Sequence, residues 1–227
     1  MNLDIPVNPN FAFEIHQRLL ARYGSPIWRQ KLPPIDELVS TILSQNTNDL
    51  NRDRAFNSLK HRFPAWEEVE SAEPRMVVDA IRIAGLANQK GPRIQKVLKD
   101  IHHERGELNL DFLKEMPRDE ARHWLLKFKG VGPKTAAIVL QFSLEMAAFP
   151  VDTHIYRVTG RLGLRPENMD VTSAHLFLEK EFPTESYYAA HLNIIRLGRE
   201  LCHPSKPDCV NCPLNDLCAY YKSLKNT

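Results

Sequence analysis

Glycine is scarce in this 227-residue chain, with 9 residues against 16 prolines, and aromatic residues make up only 8%. Collagen-like and low-complexity architectures are excluded on that count. No run approaches the roughly 18 uninterrupted apolar residues of a membrane-spanning helix. The opening MNLDIPVNPN also lacks the basic and then apolar segments of a secretory leader. The reading is an intracellular, soluble, cytoplasmic chain with no membrane partner, associated with the nucleoid if the source is prokaryotic. Charge of one sign is lacking too: 30 Lys and Arg face 28 Asp and Glu, leaving a formal +2 that by itself gives no hint of a polyanionic partner. Cysteine is missing from the first 201 residues.

What is present is an ordinary globular composition, 43% hydrophobic and 26% charged, able to bury a sizeable core. The length leaves one large domain or two small ones open. Helical periodicity dominates. Phe11, Ile15, Leu19 and Tyr23 recur every four residues until Gly24 and Pro26 stop them. Pro33 and Pro34 open a second helix with Leu38, Val39, Ile42 and Leu43 on one face, and Asn48 or Asp49 can cap a third that runs toward Phe63. Further helices are predicted at about 74–83, 90–105, 118–128, 134–146, 153–163, 172–182 and 187–202, with a polar tail after Tyr221. Alternating runs of Val, Ile and Thr between two-residue turns are absent, so the fold class is all-α.

The four cysteines, Cys202, Cys209, Cys212 and Cys218, crowd into one 17-residue stretch. Thiols separated by six, two and five residues can wrap a single soft-metal centre. Only one Cys-x2-Cys pair occurs, whereas structural zinc usually takes two, and the spacing leaves zinc and an iron-sulfur cluster both open.

A second feature is the run Lys127-Phe128-Lys129-Gly130-Val131-Gly132-Pro133-Lys134-Thr135 between two helical stretches. Glycines allow close backbone approach, and the next helix begins with outward N–H groups, so the turn suits an anion. Between Ala121 and Leu144 there are four basic residues and no acidic one, and Arg82 to Arg105 holds six basic against two acidic. Both suit a phosphate backbone. Lys134 falls in the first turn of its helix, where the dipole disfavours an ammonium, which would suit a nucleophile. Asp152 sits where a helix N-cap is expected. A functional role needs its carboxylate to serve an amine nucleophile as well.

Taken in order, FKGVGPKTA, PVDTHIYRVTGRLG and Cys-x6-Cys-x2-Cys-x5-Cys resemble the endonuclease III family of helix-hairpin-helix DNA glycosylases. The resemblance runs from the Leu43-Ser44 helix to Cys218. It implies two helical lobes flanking a DNA-binding cleft. One is a helical barrel domain over 34–146, with the helix-hairpin-helix at about 122–144. The other is a cluster domain over 1–33 and 147–227, with an iron-sulfur loop at 202–218. It further implies a 4Fe-4S cluster on the four cysteines, Lys134 as a Schiff-base nucleophile and Asp152 as the essential aspartate. Gly130, Val131 and Gly132 then contact backbone phosphate, and Lys206, in the loop between the first two cluster ligands, makes a further phosphate contact. The implied partner is double-stranded DNA carrying damaged bases or abasic sites, bound by a monomer. A cluster core of about +2 on four thiolates would bring the holoprotein near zero net charge.

One segment departs from the family pattern. Where the family typically reads Ser, any residue, Gln, any residue, Thr, Asp, with that Gln filling the gap left by a flipped nucleotide, this chain reads Ser44-Gln45-Asn46-Thr47-Asn48-Asp49. Asn46 takes the aligned position and Gln45 precedes it, and the resemblance makes both of them candidate DNA contacts. The implied function is a bifunctional glycosylase and AP lyase of base excision repair acting on damaged, first of all oxidised, pyrimidines. The alternatives are a mismatch or uracil glycosylase, a lyase for abasic sites only, and a non-catalytic DNA-binding iron-sulfur protein.

Overall fold

A computed structural model describes residues 10–28 and 31–225. Twelve α-helices and three short 3-10 turns make up its regular structure, with no strand among the described residues. The chain divides into two compact units, one of Gln30–Met146 and one of Met1–Arg29 with Ala147–Thr227. No helix among the described residues is long and apolar enough to cross a membrane.

The unit of Gln30–Met146 is built around α2 (Pro34–Ser44), where Pro34 supplies the fixed φ of a first helical position. Nine of its eleven residues are buried, the all-round burial expected of a central helix. Around it stand α3 (Asp49–Arg62), α4 (Trp66–Ser71), α5 (Pro74–Ala80), α6 (Ala87–Arg105), α7 (Arg118–Leu126) and α8 (Pro133–Phe142). Asn48 caps α3 by accepting from Asn51 N at 2.8 Å. The sequence reading missed α4, only six residues long and too short for helical periodicity to register. Its start is fixed by Glu68, which accepts from Ala65 N at 3.1 Å. The helix predicted to reach residue 146 ends at Phe142 instead. There the amides of Ser143 and Leu144 both bond to Val139 O, and Glu145 turns into the left-handed region with φ 57°.

The other unit packs α1 (Phe11–Tyr23), α9 (Thr153–Leu162), α10 (Val171–Glu181), α11 (Tyr187–Glu200) and α12 (Ala219–Lys225). Its core joins Ile15 and Leu19 of α1 to Ile155, Leu178, Ile194 and Phe149, with Phe149 stacked on Phe182 at 4.9 Å. Leu214, fully buried, ties the cysteine segment into the same core. Arg18 of α1 adds an ion pair to Asp216 at 2.6 Å. The predicted polar tail after Tyr221 is in fact the end of α12, whose residues are all at least partly exposed.

Candidate functional site

In the hairpin, α7 ends at Leu126 and the chain turns through residues 127–132 into α8. Val131 N donates to Phe128 O at 3.0 Å, and the buried Val131 side chain anchors the tip. Gly130 has φ 105°, open to glycine and strained for any other residue. Gly132 is the N-cap of α8 and Pro133 its first residue. The N–H groups of Lys134 and Thr135 therefore precede the first intrahelical bond, made by Ala136 to Gly132 O.

The structure revises the local charge. Glu104 of α6 pairs with Lys127 at 3.2 Å and accepts from Trp124 Nε1 at 2.8 Å, so an acidic group distant in sequence stands at the end of α7. The basic stretch 82–105 is likewise not a free stripe. Arg82 pairs with Asp79 and Lys96 with Asp100, while Lys90 is only 1% exposed. Arg93 reaches across this unit: its stem lies where a Cβ on Gly130 would come within 2.7 Å, and its Nη1 donates to Gln45 Oε1 at 2.6 Å. Gln45 is thus held, whereas its neighbour Asn46 is exposed with φ 51°, a conformation Asn tolerates. Lys134 is half-buried, in the first turn of α8.

Asp152 belongs to the other unit. Its Oδ1 caps α9 by accepting from Ile155 N at 2.8 Å, which uses one oxygen of a half-exposed carboxylate. Sequence reasoning missed what holds the segment before it. Val151 N donates to the Nδ1 of buried His175 at 3.2 Å, His191 Nδ1 lies 3.0 Å from Pro150 O, and Glu179 accepts from Phe149 N at 3.0 Å. Nothing in the spacing of those residues links them to Asp152, because the link is made by the packing of α10 and α11.

The four cysteines are unpaired thiols, all half-buried, and all four line one pocket together with Arg161 and Tyr220. Arg161 donates to Cys202 Sγ at 3.4 Å and to the carbonyls of His203 and Pro204, and its own carbonyl accepts from Cys218 Sγ at 3.3 Å. Burial pushes the Cys212 thiol up to about 11. Burial, and next the neighbouring thiols, also raise Cys209 and Cys218. A cationic centre would reverse that balance. Among the described residues no three His, Cys, Asp or Glu side chains converge on a single metal ion. Zinc would need all four sulfurs within about 2.3 Å of one point. Lys206 is exposed in the same segment, with φ 51°.

Residues 39–183 match the family model of the HhH-GPD superfamily base excision DNA repair proteins. This chain belongs to that superfamily. The HhH-GPD match takes in the hairpin, Lys134 and Asp152 and stops short of the cysteines. An endonuclease III of Sulfolobus acidocaldarius is 33% identical over 83% of each chain. An Arabidopsis thaliana protein bearing a DNA glycosylase name is 42% identical over 66% of this chain, which spans about half (52%) of that relative's length. Among solved structures, a trapped covalent intermediate of endonuclease III with DNA superposes with a TM-score of 0.82 at 26% identity, over 96% of this chain and 98% of that one.

The Arg93 contact makes the hairpin testable within this HhH-GPD chain. Gly130→Ala places a Cβ at 2.7 Å from Arg93 Cδ at a φ of 105°. Duplex affinity, measured by fluorescence anisotropy, is expected to fall about tenfold while the helical circular dichroism is retained.

Proposed function

We propose that this base excision repair glycosylase and AP lyase removes oxidised pyrimidines from duplex DNA as a monomer, with Lys134 as nucleophile and Asp152 as its carboxylate partner. The observation that carries the reading is the position of Lys134, an amine in the first turn of α8 immediately after the Gly130-Val131-Gly132 turn. Among the described residues it has no ion-pair or hydrogen-bond partner, so its Nζ is available. The turn would bind backbone phosphate through its amides, while the damaged nucleotide is extruded from the stack to expose its sugar.

The neutral amine of Lys134 would then attack C1′ as the glycosidic C–N bond breaks and the base departs with the bonding pair and a proton. Asp152 would stabilise positive charge on the sugar or accept the proton that the amine sheds. Opening of the sugar ring leaves an imine between Lys134 and C1′. Loss of a proton from C2′ expels the 3′ phosphate by breaking the C3′–O bond, and water releases Lys134. An enzyme that activated water instead would need no such lysine.

For the cysteines we propose a 4Fe-4S cluster, supported by the four-thiol pocket and the endonuclease III relatives. When bound, such a centre supplies four thiolate links that fix a segment too small for its own core. Arg161 would hold the loop carrying Lys206, which we place against a DNA phosphate. The departure at Asn46, one methylene shorter than the family's Gln, supports a second reading for the substrate, a mismatched or deaminated pyrimidine.

Lys134→Ala is expected to abolish the borohydride-trapped covalent complex across a panel of duplexes holding thymine glycol, uracil, T·G mismatches and abasic sites; undiminished trapping would remove Lys134 from its role. The same panel ranks the two substrate readings, and duplex binding without cleavage of any member would favour a non-catalytic protein. Because Asn caps helices as well as Asp, Asp152→Asn should leave thermal stability nearly unchanged while excision slows about a hundredfold or more in single-turnover assays. Cys212→Ser is expected to remove a broad visible absorption band and lower thermal stability; purified wild-type protein that is colourless and binds zinc would overturn the cluster.

A further inference from the structure

We infer that Lys90 is a positioning residue: it sets the conformation of the Gln45-Asn46-Thr47 loop and so the ability of Asn46 to fill the gap left by an extruded nucleotide. The inference rests on Asn46 having the wedge role, the filling of that gap, which the resemblance gives to its aligned position. Lys90 is one of the largest fully buried side chains among the described residues, 1% exposed. Its Nζ donates three hydrogen bonds, to Leu43 O at 2.8 Å, Thr47 Oγ1 at 2.7 Å and Ala84 O at 2.8 Å. Thr47 in turn donates its hydroxyl proton to Ala84 O, so its oxygen is free to accept. Three acceptors meet the three protons of an ammonium.

Each acceptor has a structural meaning. Leu43 O lies in the last turn of α2, where carbonyls lack intrahelical partners and the helix dipole favours a cation. Ala84 O belongs to the 3-10 turn Arg82–Ala84 that precedes α6. Thr47 is the far end of the loop whose middle residue, Asn46, stands at φ 51°. The near end is tethered by Arg93, which holds Gln45. Lys90 and Arg93 are three residues apart on one face of α6, so a single helix pins both sides of the left-handed turn. Burial, and then the charge of Arg93, push the Lys90 pKa down to about 8, which still leaves the third proton in place at neutral pH. A buried ammonium is costly, and an apolar side chain of similar volume would fill this space more cheaply. What that substitute cannot do is hold Thr47.

The test uses the full-length protein and a duplex in which 2-aminopurine lies beside a tetrahydrofuran abasic analogue, so that insertion of a residue into the stack is read as a fluorescence rise at saturating protein, independently of turnover. Asn46→Ala should abolish the rise. Lys90→Met and Thr47→Val should each lower it about fivefold or more, the effect of unsatisfying a buried acceptor on the loop's equilibrium. Thr47→Ser, which keeps the hydroxyl, should restore the wild-type signal, an outcome that a general loss of stability would not produce. If Lys90→Met does not fold, the Thr47 pair decides the matter. A rise undiminished in Lys90→Met and Thr47→Val, or a Thr47→Ser signal as low as that of Thr47→Val, overturns the inference alone. No rise in the wild type, or a full rise in Asn46→Ala, overturns the wedge reading and the inference with it.

Discussion

Every helix end leaves backbone groups without intrahelical partners, and a protein made of helices with short connections must satisfy many such ends. In this chain some of the residues that satisfy them are also proposed site residues. Asp152 is the N-cap of α9 and the only acidic residue in the run Pro150 to Thr159. Gly132 caps α8 and leaves the amides of its first turn outward. Lys90 satisfies a carbonyl in the last turn of α2. Asn48 and Asp170 cap α3 and α10 in the same way, accepting from Asn51 N and Ser173 N. Capping and the proposed role therefore do not compete for Asp152, since the cap takes one of its two oxygens.

That double use explains how much of the site was legible in the sequence. The hairpin was readable because Gly-Val-Gly followed by Pro is a local signal, turn and helix start in one stretch. The helices around it were readable wherever an apolar stripe ran for three or more turns, as in α1, α2 and α11. The six-residue α4 was not: it depends on a single Glu68 cap and a buried Trp66. The partners of the candidate site residues were least legible, since Lys90, Arg93, His175 and His191 lie 24 to 48 residues from the groups they hold. In the sequence Lys90 counted as one more surface cation in a basic stretch. Only its placement against three acceptors turns it into an internal tether.

Charge has to be counted at the same local scale. The formal +2 concealed a hairpin rich in lysine, yet the linear count around that hairpin concealed Glu104. An ion pair between two partly exposed side chains contributes little stability. Its consequence is for the local field: Glu104 offsets the charge of Lys127, whereas exposed Lys129 has no ion-pair partner among the described residues. A count of basic residues along the sequence therefore overstates the positive charge that the hairpin presents.

The two lysines of this unit show why a perturbed pKa is not by itself the mark of a nucleophile. Lys90 has the lowered value, about 8, and for that reason alone would be the first choice for attack on an electrophilic carbon. Its geometry forbids it. All three protons are engaged, the amine is closed off from solvent, and moving it would release the loop it secures. Lys134 meets the opposite conditions, half-exposed at a helix start beside the Gly130-Val131-Gly132 turn. Its amine can be reached from solvent, as attack on a sugar carbon would require. Accessibility separates the amine proposed to react from the structural one, and both stand on helices that pack against α2.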